Sequence, residues 1–179
     1  VYIKLYMQFV FNDGGRAASG YKGECGDCVC RAIAIASGLP YAEVYTALAN
    51  GNDNTRITKR RKPKGRSARN GVYVKTKWFK DYMAGIGFEW IPTMLVGQGC
   101  KTHLNASELP AGRLVVSVAK HYTCVIDGVL NDTWNCSQHA ATIYPASCLI
   151  NIPKGAVRLA NGDWSYDPER CVYGYWIKI

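Results

Sequence analysis

HYTCVIDGVLNDTW, residues 121–134, contains Asp127-Gly128 between two runs rich in β-branched and apolar residues. Such a pair accepts the left-handed backbone of a two-residue hairpin turn. Closing the chain there pairs Ile126 with Val129, Val125 with Leu130, Cys124 with Asn131, Thr123 with Asp132, and His121 with Trp134. Alternate residues of a strand share a face, so His121, Thr123, Asp132 and Trp134 fall on one side of the hairpin and Asn131 on the other. Asp132 is then the diagonal neighbour of His121, within side-chain reach. A three-residue loop would shift the register and bring Asn131 forward instead.

Outward from this hairpin, FEWIPTML (88–95), RLVVSVAK (113–120) and CVYGYWIKI (171–179) read as further strands, and ASELPAGR (106–113) as a turn leading into the central one. The first half has a different period. After the Gly-rich NDGGRAASGYKG (12–23), Asp27 caps a predicted helix over Cys28 to Ser37, stopped by Gly38 and Pro40. Tyr41, Val44, Tyr45 and Leu48 give a second helix its apolar face, and a third is predicted from about Lys75 to Ala84. Helices first and an antiparallel sheet after them make an α+β domain.

The 179 residues, 48% of them hydrophobic, suffice for one core, so 1–179 reads as a single domain. Residues 1–10 form an N-terminal extension or strand, and 54–70 a basic loop insertion. VYIKLYMQFVF lacks the long apolar core and cleavage site of a signal peptide, and Met7 reads as a natural start after an upstream Val1 to Tyr6. No run approaches the roughly 20 apolar residues that cross a bilayer. The expected setting is cytoplasmic, with the eight cysteines reduced and no disulfide framework.

The formal charge of +9 is concentrated in RITKRRKPKGRSAR, Arg56 to Arg69, where eight basic residues occur without an acid. Such a cluster attracts nucleic acid or acidic protein surfaces at moderate salt. Its Pro63 and Gly65 fit equally with a solvated loop, and no aromatic within it offers a stacking platform.

GECGDCVCRAIAIA, residues 23–36, packs three cysteines into six positions. Cys28 falls on the first helical position, where unpaired N–H groups and the helix dipole favour a thiolate and leave its own N–H free to meet an oxyanion. With His121 as base and Asp132 orienting the imidazole, the three supply the parts of nucleophilic catalysis. Two rival readings stand beside it. Cys25-x2-Cys28 with Cys136-x2-His139 offers four soft ligands for tetrahedral zinc, and the basic loop makes a binding module without catalysis possible.

A Cys at the head of an N-terminal helix, a His on a later strand and an Asp on the next resembles the papain-like cysteine peptidases in chain order. Asp132-Thr133-Trp134 is similar to that family's Asn-Ser-Trp. GDCVCRAIAIASGLPYAEVY, SARNGV and HYTCVIDGVLNDTWN also resemble a set of small bacterial and phage proteins grouped with that fold. The resemblance implies a papain-like α+β fold and a cysteine hydrolase needing no cofactor. It also implies a peptide or protein substrate, with Cys28, His121 and Asp132 in the catalytic roles. The family's Gln upstream of the nucleophile has no counterpart, and Asn12 or Lys22 remains open as the second oxyanion donor.

Overall fold

The computed structural model describes residues 7–59, 63–137, 142–147, 152, 156–166 and 169–179. In chain order the elements are β1 (Phe9–Phe11), α1 (Cys28–Ser37), α2 (Tyr41–Asp53), α3 (Lys77–Gly85), β2 (Phe88–Pro92), β3 (Arg113–Val118), β4 (His121–Ile126), β5 (Val129–Asp132), β6 (Thr142–Tyr144), β7 (Val157–Arg158), β8 (Trp164–Tyr166) and β9 (Val172–Lys178). Six strands form one sheet in the order β1-β5-β4-β3-β9-β2, and β6-β8-β7 form a small second sheet.

The expected α+β class is present, with one correction to the sheet. It is mixed, because β1 joins its edge in parallel with β5, matching Phe9 to Leu130 and Phe11 to Asp132. Three helices separate β1 from the other strands, so its direction is not tied to a hairpin, and this edge strand carries Asn12 and the Gly-rich loop toward α1. α1 has the predicted bounds, α2 runs five residues beyond its amphipathic stretch, and α3 starts two residues later than predicted.

The main sheet carries apolar side chains on both faces. Val115, Cys124, Trp176 and Phe88 pack against the three helices. Leu114, Val116, Val125, Leu130 and Val172 pack on the other face with Met7, Leu104, Leu109 and Cys136. α1 is buried nearly all round, at Val29, Cys30 and every residue from Ala32 to Ala36, as befits a helix held between a sheet and a neighbouring helix. Its C-terminal end is fixed by Arg113, whose Nε and Nη2 donate to the carbonyls of Ala36 and Ile35 at 2.6 and 2.7 Å. A cation suits the negative end of the helix dipole.

A second correction concerns the cysteines. Cys100 and Cys171 form a disulfide although 71 residues separate them. The loop after β2 runs beside the start of β9, where His103 bridges to Cys171, and this brings the two Cα atoms to 5.8 Å, within the span a disulfide accepts. No helix among the described residues is long and apolar enough to cross a membrane.

β2 and β9 approach closely at Gly174, where an added Cβ would lie 2.3 Å from the Trp90 ring and 2.9 Å from the Ile91 carbonyl. Gly174→Ala is expected to destabilise the protein by about 1–3 kcal/mol, the cost of overpacking a filled core, read as a lower urea midpoint at unchanged slope.

Candidate active site

The hairpin closes in the predicted register: Cys124 faces Asn131, Val125 faces Leu130 and Ile126 faces Val129. Asp127 and Gly128 both take positive φ, 48° and 79°, the backbone of the favoured hairpin turn. Asp127 is further held by Gly112, whose N–H donates to its Oδ1 at 2.8 Å. β5 ends at Asp132, so Trp134 lies outside the ladder.

With that register, His121 and Asp132 meet on the face away from the helices. His121 Nε2 lies 2.7 Å from Asp132 Oδ2, and both side chains are almost wholly buried. Asp132 Oδ1 also accepts the Thr133 N–H at 2.7 Å. The Trp134 ring sits 5.4 Å from the imidazole, and the Arg170 guanidinium lies over that indole, 5.6 Å from its centroid. Asn131 points to the opposite face, where its Oδ1 accepts from Asn12 Nδ2 at 3.3 Å.

Cys28 reaches the same imidazole from the helix side. His121 is the first residue of β4, and α1 packs against this strand, so the Cys28 thiol comes under the influence of the imidazole and of the Tyr122 backbone. Nε2 is occupied by Asp132, which leaves Nδ1 as the nitrogen available to sulfur. Burial pushes the Cys28 thiol up, but the His121 hydrogen bond, the Tyr122 backbone and the charges of His121 and Arg31 together bring it below its ordinary value. Cys30 and Cys124 show the contrast: burial dominates and raises each to about 12. Cys25 is also raised, by burial and then by Asp27.

Asp27 occupies the N-cap position but makes no side-chain cap bond, which corrects the expected role. Its buried carboxylate instead receives Arg16 Nε at 2.9 Å, the guanidinium of Arg31 and the Tyr41 hydroxyl. Arg16 continues to the carbonyls of Lys22 and Gly23 at 3.1 and 2.9 Å, so one buried charge holds the Gly-rich loop, α1 and α2 together beside Cys28. The sequence carried a partial signal in the i, i+4 spacing of Asp27 and Arg31. Arg16 and Tyr41 carried none.

Of the proposed oxyanion donors, Asn12 is committed to Asn131 and, through its Oδ1, to the Gly14 N–H at 2.9 Å. Lys22 is exposed. The zinc set does not assemble as expected: His139 lies outside the described residues, and Cys136 groups with His121 and Asp132 rather than with Cys25. In the basic segment, Arg60, Arg61 and Lys62 also lie outside the described residues. Lys64 to Arg69 is anchored rather than free, because Asn52 Nδ2 donates to the Ser67 and Gly71 carbonyls and Ala68 is fully buried. Gly26 bridges to Asn70, and Arg69 Nη2 donates to the Glu24 carbonyl at 3.2 Å, so the segment runs alongside the loop that delivers Cys28.

A groove of about 470 Å³ reaches Tyr122, the neighbour of His121, and is lined by Val74, Trp90, Met94, Tyr122, Tyr173 and Trp176 among others, with Lys75 and Lys80 also on its wall. Comparisons with protein families, with curated proteins and with solved structures gave no match.

Two outcomes follow from these contacts. Asp27→Asn leaves Arg16 and Arg31 without their shared charge and is expected to cost about 3 kcal/mol or more, measured by urea unfolding. The second concerns pH. Burial alone would lower the His121 pKa, but Asp132 and then Cys136 and Cys28 raise it from 6.5 to about 11. A raised folded-state pKa gives stability that is complete below about 6.5 and is lost as pH rises through about 11. Cys28, depressed below 9.0, offsets part of that loss. Unfolding midpoints should therefore decline above pH 6.5, with a flatter profile in Asp132→Asn.

Proposed function

We propose that this chain is a cysteine hydrolase of papain-like architecture that cleaves peptide or isopeptide bonds through an acyl-enzyme. The observation that carries the reading is a buried imidazole whose Nε2 is held by a carboxylate at 2.7 Å, beside a thiol at the head of a buried helix whose pKa that imidazole lowers. The order of helices, sheet and the three residues along the chain agrees with the papain-like resemblance.

In this mechanism the Cys28 thiolate attacks the scissile carbonyl carbon, and the carbonyl π pair moves onto oxygen, where the Cys28 N–H at the helix start donates to it. His121, protonated in the resting pair, gives its proton to the leaving nitrogen as the C–N bond breaks and a thioester forms. Water then attacks the thioester carbonyl. His121 takes the water's proton, the C–S bond breaks, and the carboxylic acid leaves with the thiolate restored. Asp132 holds the ring orientation and stabilises the imidazolium throughout. The indole of Trp134 shields one side of this contact.

The apolar groove next to Tyr122 fits a bulky side chain on the acyl half of the substrate, in the size range of small-ligand and peptide pockets. The lysines on its wall and the anchored segment Lys64 to Arg69 favour an acidic substrate, because a field of one sign raises the local concentration of the opposite one.

Labelling with an iodoacetamide or epoxide warhead near neutral pH, mapped by mass spectrometry, tests the reading. Selective modification of Cys28 is expected, with His121→Ala slowing it by roughly 10² or more, the lower range of general acid–base contributions. Equal labelling of several cysteines, or none, would overturn it.

A further inference from the structure

Cys136 has no part in the proposed hydrolysis, yet it is fully buried against the residues that do the chemistry. Its Sγ lies 3.9 Å from Asp132 Oδ2, the same oxygen that meets His121 Nε2 at 2.7 Å. One ligand atom from each of His121, Asp132 and Cys136 falls within 4.8 Å of the other two. An imidazole nitrogen, a carboxylate oxygen and a thiolate are all first-rank zinc ligands, with bonds of about 2.0–2.3 Å. A tetrahedral ion needs the nitrogen and oxygen about 3.3 Å apart, so the pair would open by about half an ångström. Thr123, two residues along β4 from His121 and on the same face, is buried with its hydroxyl toward Asp132, whose pKa it helps to lower.

We propose that His121 Nε2, Asp132 Oδ2 and Cys136 Sγ form a three-ligand site for a zinc-class divalent cation, and that its occupation excludes the hydrolase cycle. The site deepens the reading above, since it uses two of the same side chains. Binding releases the Cys136 thiol proton and any proton held between His121 and Asp132, so a net two-plus ion replaces up to two protons. A zinc-bound imidazole with its proton on Nδ1 has no free nitrogen to take another. It therefore can neither hold the extra proton that the resting pair gives to the leaving nitrogen nor accept one from water, and Asp132 is no longer free to orient it. The donor set separates this site from the Cys25, Cys28, Cys136 and His139 grouping, because Cys28 is not a ligand in it.

Cobalt(II) titration of the full-length protein under metal-free conditions reads the site directly, through thiolate-to-cobalt charge-transfer absorption in the near ultraviolet. One equivalent is expected to bind wild type and Cys28→Ser alike. Cys136→Ser and Cys136→Ala should weaken binding by more than the roughly 10- to 100-fold that loss of a mere supporting partner costs, with the charge-transfer band gone. Circular dichroism checks that each variant is folded. If both Cys136 variants misfold, cobalt binding to Asp132→Asn, which keeps the thiol, should still fall by a similar factor. Absence of stoichiometric binding, binding that survives in folded Cys136→Ser, or binding abolished in Cys28→Ser would each overturn the proposal.

Zinc is then added before the warhead. Labelling of wild-type Cys28 should slow at least about tenfold, as loss of the imidazole's proton-accepting role requires, and Cys136→Ser should show no slowing relative to its own metal-free rate. Equal slowing in both proteins would overturn mutual exclusion. Cobalt binding at Cys136 in a protein whose Cys28 never labels would keep the metal site and remove the hydrolase reading. Labelling of Cys28 without cobalt binding would do the reverse.

Discussion

Two residues with left-handed backbone, Asp127 and Gly128, decide which side of the sheet the Asp132 carboxylate occupies. Because a strand has a side-chain period of two, a slip of one residue at this turn would put Asn131 beside His121 and turn Asp132 toward the helices. The turn is held from outside the hairpin by the backbone of Gly112 at both the amide and the side chain of Asp127. On its correct side, Asp132 is close enough to His121 for a 2.7 Å contact in a site with little water. The weak screening there lets a single ion pair govern the charge of its neighbours.

The Cys28 side depends on a different device. α1 is pinned at both ends, by Arg113 on its last carbonyls and by the buried Asp27 on the turn before it. Between these two fixed points the helix cannot slide along β4, so Cys28 stays over the strand end where His121 begins. Burial by itself makes thiols inert, as Cys30 and Cys124 illustrate, both pushed up to about 12. Cys28 differs because the imidazole and the Tyr122 backbone compensate for its lost water. The resulting arrangement is compact enough that a second thiol, Cys136, shares the same carboxylate oxygen. Under the proposed function, proton transfer and metal coordination compete for one pair of atoms.

The opposite edge of the sheet shapes what reaches the thiol. Gly174 leaves room for the Trp90 ring beside β9, and the Trp90 and Trp176 rings, tilted by 53° with centroids 5.3 Å apart, both line the groove. The Cys100–Cys171 disulfide ties the loop carrying Met94 to the strand carrying Tyr173, so the groove's outer wall is covalently joined.

Local signals in the sequence determined the bounds of α1, the positions of β3 to β5, the hairpin register and hence the common face of His121 and Asp132. All of these rest on interactions between residues a few positions apart: a Gly stop, strand alternation and a turn pair that accepts positive φ. Only the tertiary structure decided the rest, because it depends on partners far away in the chain. β1 pairs in parallel with β5 across a separation of 121 residues, as between Phe9 and Leu130. Asp27 exchanges the expected capping bond for Arg16 and Tyr41, since a buried carboxylate is better neutralised by a guanidinium than by an amide. Cys100 meets Cys171, and Cys136 meets the His–Asp pair, through chain reversals that no local pattern encodes. Spacing alone grouped the cysteines by proximity in the chain, whereas folding regrouped them by the strand ends and loops on which they stand.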